Sequence, residues 1–187
     1  MLRRGLIHEE DRLAEASRQT RYEQLLLPHL DAAYNLARWL THDEHDAEDL
    51  VQEAYLRALR FFDSFHGDNG KVWLLTIVRN TCYSWLRRNR PDKLAESFDE
   101  TVHSAADESS NPQQALLQEE EKQRLREALA ELPTEYREVL VLRELEGLTY
   151  REIATVSGIA LGTVMSRLAR GRERLHQCLT QQIDKET

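Results

Sequence analysis

Glycine and proline are scarce in this 187-residue chain, with 7 and 4 copies. Turn-dense β architecture needs more of both, so an all-α fold is expected. Cysteine is scarcer still. Cys82 and Cys178 lie far apart on apolar helical faces, which favours packed thiols over a disulfide. No apolar run approaches the roughly 18 residues of a membrane span. Residues 1–8 lack the apolar core of a signal peptide, so the expectation is a cytoplasmic protein with no membrane insertion. A phosphate-cradling glycine loop and a nucleophile elbow are both absent. His42, His45 and Asp46 come nearest to a metal set, but a His-x-x-His off a helix, without cysteine or converging carboxylates, is a weak one. No metal, cofactor or catalytic activity is expected.

Charge, by contrast, is plentiful and sorted. The net charge of −8 argues against a nucleic-acid partner until it is mapped along the chain. Residues 41–62 carry −4, from six acids and two bases, and residues 93–121 carry −7, from eight acids and one base. Residues 63–92 and 149–187 each carry +2. Two cationic segments thus stand apart from two acidic ones, and that segregation matters more than the total.

Apolar residues recur at helical spacing from Tyr22 to Leu40, through Leu25, Leu26, Leu30, Tyr34 and Ala37. A second stripe runs through Ala47, Leu50, Val51, Ala54, Tyr55, Ala58, Leu59 and Phe62, with Asp46 placed as its N-cap and Glu48 and Asp49 in its first turn. A loop over 65–70 leads to a third helix from about Lys71 to Asn89, which Pro91 stops. Periodicity is then lost over 92–113, a stretch rich in serine and acids that reads as a flexible acidic linker. A second unit begins near Gln113, with one helix to about Glu131 and another from Thr134 to Glu146 that turns Val139, Leu140, Leu142 and Leu145 inward and ends at Gly147. Thr149 and Glu152 have capping-box spacing at the head of a short helix through Val156. Ser157-Gly158-Ile159 makes a turn, and a longer helix follows from near Thr163 to about Leu179. Short helix, glycine turn, longer helix is a helix-turn-helix.

On that last helix Val164, Leu168, Gly171, Leu175 and Leu179 share an inward stripe. The opposite side offers Met165, Ser166 and Arg170 to a major groove, and Arg172 and Arg174 mainly to the backbone; Arg167 serves either DNA or an internal salt bridge. The competing reading is a solvated basic face. Cap, glycine turn and cationic helix occurring together favour the groove. The Lys71–Asn89 helix interleaves Trp73, Tyr83 and Trp85 with Arg79, Arg87, Arg88 and Arg90, the chemistry of single-strand binding, where each stacked base contributes roughly 1–3 kcal/mol. Trp73 and Ile77 also fit a shared buried stripe, and Asn80 fits either a base edge or a local cap.

Together these stretches resemble a family. Asp46-Ala47-Glu48-Asp49-Leu50-Val51-Gln52-Glu53, Trp73-Leu74 and Arg79-Asn80 look like conserved region two of bacterial sigma factors. Leu132-Pro133, Arg137-Glu138-Val139-Leu140, the run from Glu146 to Ala154 and the run from Gly162 to Leu168 look like region four. No region-three domain separates them, which points to the extracytoplasmic-function group. The resemblance covers about residues 22–92 and 114–180, with 1–21 as an N-terminal extension and 183–187 as a tail. It implies a transcription initiation factor without enzymatic activity, whose partners are core RNA polymerase (its largest and second-largest subunits), promoter DNA and an anti-sigma factor. Asp46, Glu48, Asp49 and Gln52 would meet the polymerase. His66, Asn69, Lys71, Arg79, Asn80, Tyr83, Arg87 and Arg88 would engage the −10 element. Arg151, Thr163, Met165, Ser166, Arg167, Arg170, Arg172 and Arg174 would serve the −35 element. The acidic linker would thread the polymerase cleft. Met165 departs from the family's usual Lys or Arg, which removes one −35 contact, and the 66–71 loop is individual to this chain. The rival is an ordinary dimeric helix-turn-helix regulator that binds a palindrome without polymerase.

Overall fold

The computed structural model describes residues 16–67, 69–89 and 122–186, and among these every regular element is a helix. The linker, residues 113–121, Arg90 and the first fifteen residues lie outside the described residues. The first unit comprises α1 (16–26), a 3-10 turn at Leu27–His29, α2 (Leu30–Thr41), α3 (Glu44–Phe61) and α4 (Gly70–Asn89). The second comprises α5 (122–130), α6 (Thr134–Leu140), a π turn at Val141–Leu145, α7 (Tyr150–Ser157) and α8 (Leu161–Glu186).

The expected Tyr22–Leu40 helix is in fact two. Pro28 sits in the first turn of the 3-10 segment, where its missing N–H and fixed φ break the α ladder. The break shifts the helical phase, so Leu30, expected inward, is 46% exposed. Two further corrections concern α3. Its N-cap is Asp43, not Asp46: the Asp43 carboxylate accepts from the Asp46 N–H at 3.0 Å, and His42 before it adopts a left-handed φ of 58° that ends α2. Leu59, expected inward, sits at the margin of the stripe and is 37% exposed. The other core positions of α3 are buried as the spacing predicts, except Tyr55, which is half-buried. Its hydroxyl donates to the Leu26 carbonyl at 2.9 Å while Tyr22 donates to the Tyr55 carbonyl at 2.8 Å, tying α1 to α3. Arg18 reaches Asp63 at 2.7 Å, so the bundle takes in residues ahead of Tyr22.

Cys82 is fully buried, and burial pushes its thiol up to about 12, so it packs rather than reacts. Cys178 is half-buried, and both thiols are free.

In the second unit α8 lies across α6 and α7. Gly171 permits the approach: a Cβ there would stand 3.1 Å from Leu140 Cδ1 and 3.4 Å from Tyr136 Cβ. Arg137 is 3% exposed, and its guanidinium donates to the Ala130 carbonyl at 2.8 Å, closing the C-terminus of α5. Burial lowers its pKa to about 10, which leaves it charged at neutral pH. Leu145, expected inward, is 50% exposed. The ladder closes i→i+5 there, with Glu146 N–H donating to the Val141 carbonyl at 3.0 Å, and the wider turn rotates Leu145 away from the core that holds Leu140 and Leu142.

Gly70 is no loop glycine. It opens α4 while buried against α1, where a Cβ would lie 2.7 Å from both Leu25 Cγ and the Leu25 carbonyl oxygen. A backbone oxygen cannot swing aside. Gly70→Ala is therefore expected to destabilise the protein by about 1–3 kcal/mol, outweighing the helix-propensity gain of at most about 1 kcal/mol. Urea unfolding of the full chain measures this; equal or higher stability would contradict the packing role.

Candidate nucleic-acid interface

The helix-turn-helix is assembled from local chemistry. Thr149 accepts from the Glu152 N–H at 3.3 Å and the Glu152 carboxylate accepts from the Thr149 N–H at 2.8 Å, the full capping box that the spacing predicts. Those hydrogen bonds hold the Glu152 carboxyl below the usual carboxylate range. A depressed carboxyl adds stability above its unfolded pKa and loses it as pH falls through the folded value, so this cap weakens only in acid. Gly158 closes α7 with φ of 65°, and Gly147 takes φ of 69° after the π turn. Val164, Leu168 and Gly171 of α8 are buried, and Leu175 and Leu179 half-buried, which leaves the other face outward.

On that face Met165, Ser166 and Arg170 are exposed, and so is Arg151 on α7; Thr163 is half-buried. Two other arginines of α8 are engaged. Arg172 pairs with Glu144 at 2.7 Å, and Arg174 places its guanidinium 5.0 Å from the Tyr136 ring centroid. Arg167 is half-buried and close enough to Tyr83 to lower that phenol's pKa electrostatically, against a net upward shift set by burial and Glu138.

The aromatic and basic helix α4 is not an open platform. Trp73 is half-buried and stacks on Phe65, with ring centroids 4.6 Å apart. Arg79 donates through Nε to Glu138 Oε1 on α6, and Tyr83 donates to Glu138 Oε2 at 2.8 Å. Burial alone would lower the Arg79 pKa, but hydrogen bonding and the charge of Glu138 outweigh it and raise it. Burial and then Glu138 push the Tyr83 phenol up, so its hydroxyl stays a donor. Lys71 Nζ meets Glu146 Oε2 at 3.0 Å and donates to the Glu146 carbonyl at 2.8 Å. Asn69 donates to Glu152 at 2.7 Å while its own side-chain oxygen accepts from the Val72 N–H. Asn35 on α2 also donates to Glu146, at 3.3 Å. Four of the eight residues assigned to −10 therefore face the second unit, and His66, Asn80, Arg87 and Arg88 are exposed.

Sequence reasoning missed Glu138 and Glu146 as interface groups. The signal was available: Thr134, Glu138 and Leu142 fall at four-residue steps, which puts a carboxylate on an inward stripe. Leu56 is a further residue that the inward stripes do not account for. Asp49, Gln52 and Leu56 share the outer face of α3, with Glu48 exposed beside them and Asp46 half-buried, and Leu56 is 68% exposed. A leucine off the inward stripe is how the pattern would have shown it. Among the described residues no group of three or more His, Cys, Asp or Glu side chains could hold a metal, and no helix is long and apolar enough to cross a membrane.

A three-helix core with an α1 brace, joined to a helix-turn-helix whose outward α8 face is exposed, is the architecture expected of a two-region sigma factor. Residues 25–91 match Sigma-70 region 2, and residues 122–175 match Sigma-70, region 4. The chain is 36% identical to the ECF RNA polymerase sigma factor SigE of Mycolicibacterium smegmatis, over 84% of this chain and 61% of that protein. It is 36% identical to the RNA polymerase sigma-H factor of Pseudomonas aeruginosa, over 84% of this chain and 86% of that one. The fold superposes on the sigma factor RpoE of Bartonella quintana, solved in complex with the anti-sigma factor NepR, with a TM-score of 0.71 and 32% identity across 86% of this chain and 97% of that one. The chain belongs to the extracytoplasmic-function group of the bacterial sigma-70 family, and is by family a transcription initiation factor.

Thr149→Ala removes the acceptor at the head of α7, and a lost N-cap of this kind costs about 0.5–2 kcal/mol. Denaturant unfolding should register that loss with helix content at neutral pH nearly unchanged; no loss would mean that the Glu152 half of the box suffices.

Proposed function

We propose that this chain binds core RNA polymerase through α3, directs it to promoters by placing α8 in the −35 major groove, and opens the −10 region with residues of the 66–88 segment. The observation that supports this best is the outward face of α8. Met165, Ser166 and Arg170 stand exposed on a helix whose inward stripe, following the capped α7 and the Gly158 turn, fixes its orientation. Side chains in the first turns of such a helix reach base edges, and Arg170 presents the fork that guanine or phosphate accepts. Arg151 and Thr163 flank the same groove. Arg167, Arg172 and Arg174 are backbone contacts, of which Arg172 and Arg174 must first leave Glu144 and Tyr136.

On α3, Asp46, Glu48, Asp49 and Gln52 form the polar part of the polymerase contact, and Leu56 supplies its apolar centre. Interfaces draw most of their energy from such a desolvated anchor inside a polar rim. The −10 strand is met by His66, Asn69, Lys71, Arg79, Asn80, Tyr83, Arg87 and Arg88. Lys71, Arg79, Arg87 and Arg88 are the cations, and Tyr83 is the ring for stacking. Acidic stretches elsewhere repel a polyanion, so tight promoter binding needs the polymerase to cover them. Work on promoters with the polymerase implies a cytoplasmic protein, and an anti-sigma factor, such as the one seated on the related Bartonella sigma factor, would hold it until needed.

Arg170→Ala should cut run-off transcription from the chain's own promoters by about tenfold, or about 1.4 kcal/mol, within the roughly 1–3 kcal/mol of a bidentate base contact, with core binding unchanged. Unaltered output would remove Arg170 from the reader. Leu56→Glu leaves the fold intact because the site is solvent-facing, and should abolish co-elution with core polymerase on gel filtration. If the variant still co-elutes, α3 docks by another face; if wild-type chain and core migrate apart, the sigma reading itself fails.

A further inference from the structure

We propose that Met165 reads thymine: in the −35 major groove its side chain packs on a thymine C5 methyl group while Ser166 beside it accepts from the adenine amine, so that this part of α8 selects an A·T pair without a charged contact. The inference rests on the placement of α8 in that groove proposed above, and names the base-edge groups met there.

Gly162, Met165, Ser166 and Ala169 are all exposed, and their spacing of i, i+3, i+4 and i+7 puts them on one face in the first turns of α8. The helix start is fixed, because the Ala160 carbonyl accepts from the N–H groups of Thr163 at 2.9 Å and Val164 at 3.1 Å. No side chain of the four is charged. Between Leu161 and Ala169 the only cation is Arg167, which is half-buried. The large side chain of the set is Met165, 52% exposed, and Leu161 one turn earlier is 42% exposed at the edge of the same row. Gly162 keeps the backbone low beside it: a Cβ there would meet nothing within 4 Å.

Hydrogen-bonding capacity on this face is as narrow as its charge. Glycine, methionine and alanine side chains have no hydrogen to donate. The Ser166 hydroxyl donates to the Thr163 carbonyl at 3.0 Å, which leaves its oxygen free only to accept. Guanine shows acceptors in the major groove, and this face has no donor for them. An A·T pair shows a methyl group on one base and an amine donor on the other, the two features that a thioether beside an accepting hydroxyl can satisfy. G·C supplies an amine from cytosine but no methyl. Burying the methyl removes apolar surface of both partners from water and releases no counterion, so this contact is insensitive to salt. Arg170, one turn beyond Ser166 and also exposed, retains the charged contact at the far side of the face.

The test uses holoenzyme reconstituted from core polymerase and the full chain, on a promoter mapped by run-off start sites. Each −35 thymine in turn is replaced by deoxyuridine, which lacks only the C5 methyl, and binding is measured by competition. At one or two neighbouring thymines the wild-type holoenzyme should lose about fourfold in affinity, the worth of one methyl group taken from water. Met165→Ala should bind the thymine promoter less well and treat thymine and uracil alike. Met165→Arg should also ignore the methyl, and should steepen the dependence of log affinity on log salt by about one. A −35 element with no A·T pair overturns the proposal, as does wild-type binding that no uracil changes by more than about 1.5-fold. Methyl sensitivity that persists in Met165→Ala overturns it too. If Met165→Ala weakens thymine and uracil promoters equally at every position, the side chain serves a protein contact instead. An unchanged salt slope in Met165→Arg shows that the position never meets DNA. Arg170→Ala, measured alongside, separates this contact from the groove placement. If it weakens binding while uracil is silent, only the methyl contact is struck; if neither has an effect, α8 is not the −35 reader.

Discussion

A carboxylate withdrawn from water is tolerated only where donors and cations surround it. Glu138 meets that condition with groups supplied by the other half of the chain: Arg79 grips one oxygen and Tyr83 donates to the second. Its neighbour Arg137 is equally buried but solves the problem within its own unit, against the carbonyls that end α5. Consecutive residues of opposite charge thus serve opposite ends. One seals a helix terminus and the other seals the seam between two modules. The relative placement of regions two and four depends on that seam, since Lys71 and Asn69 reach Glu146 and Glu152 only when α4 lies against α6 and α7.

Local signals in the sequence were strong where one residue decides the backbone. Thr149 and Glu152 formed the box their spacing demanded, and Gly147 and Gly158 took the positive φ that glycine tolerates. The inward stripes of α3 and α8 were legible because helical periodicity averages over many positions. Errors arose where two local rules competed. Asp43 and Asp46 both suit an N-cap, and only the left-handed turn at His42 selects the first. Pro28 was overlooked inside an apolar pattern that continued past it in a new phase. The π turn carries no compositional mark, so Leu145 was assigned inward by extrapolating a 3.6-residue period through a wider one.

The candidate site was legible as a set of side chains but not as an arrangement. Cationic and aromatic residues on α4 are found by type, and Trp73 also by its place on a buried stripe, but the partners of Arg79 and Tyr83 are not. Long-range pairing of an arginine with a glutamate 59 residues away leaves no local trace, because either charge alone is compatible with solvent. The outward side chains of α8 were easier to place. Met165, Ser166 and Arg170 follow from the inward stripe by elimination, and the stripe depends only on α8 itself and on the small side of Gly171. Arg172 and Arg174 were harder, since their partners Glu144 and Tyr136 sit on segments whose contact with α8 is tertiary.

The wide turn at Val141–Leu145 acts as a spacer with a fixed pitch. It absorbs one residue more per turn than the α-helix before it, and it ends where Glu146 offers both its carbonyl and its carboxylate to Lys71. Wound as a regular α-helix instead, the same residues would swing the following segment by about 100°, the angular step of one helical residue. The anion would then point away from region two while the helix-turn-helix stayed intact. Segment length at this point therefore specifies how the promoter-reading half is aimed, a geometric duty that tolerates many side chains but few changes in count.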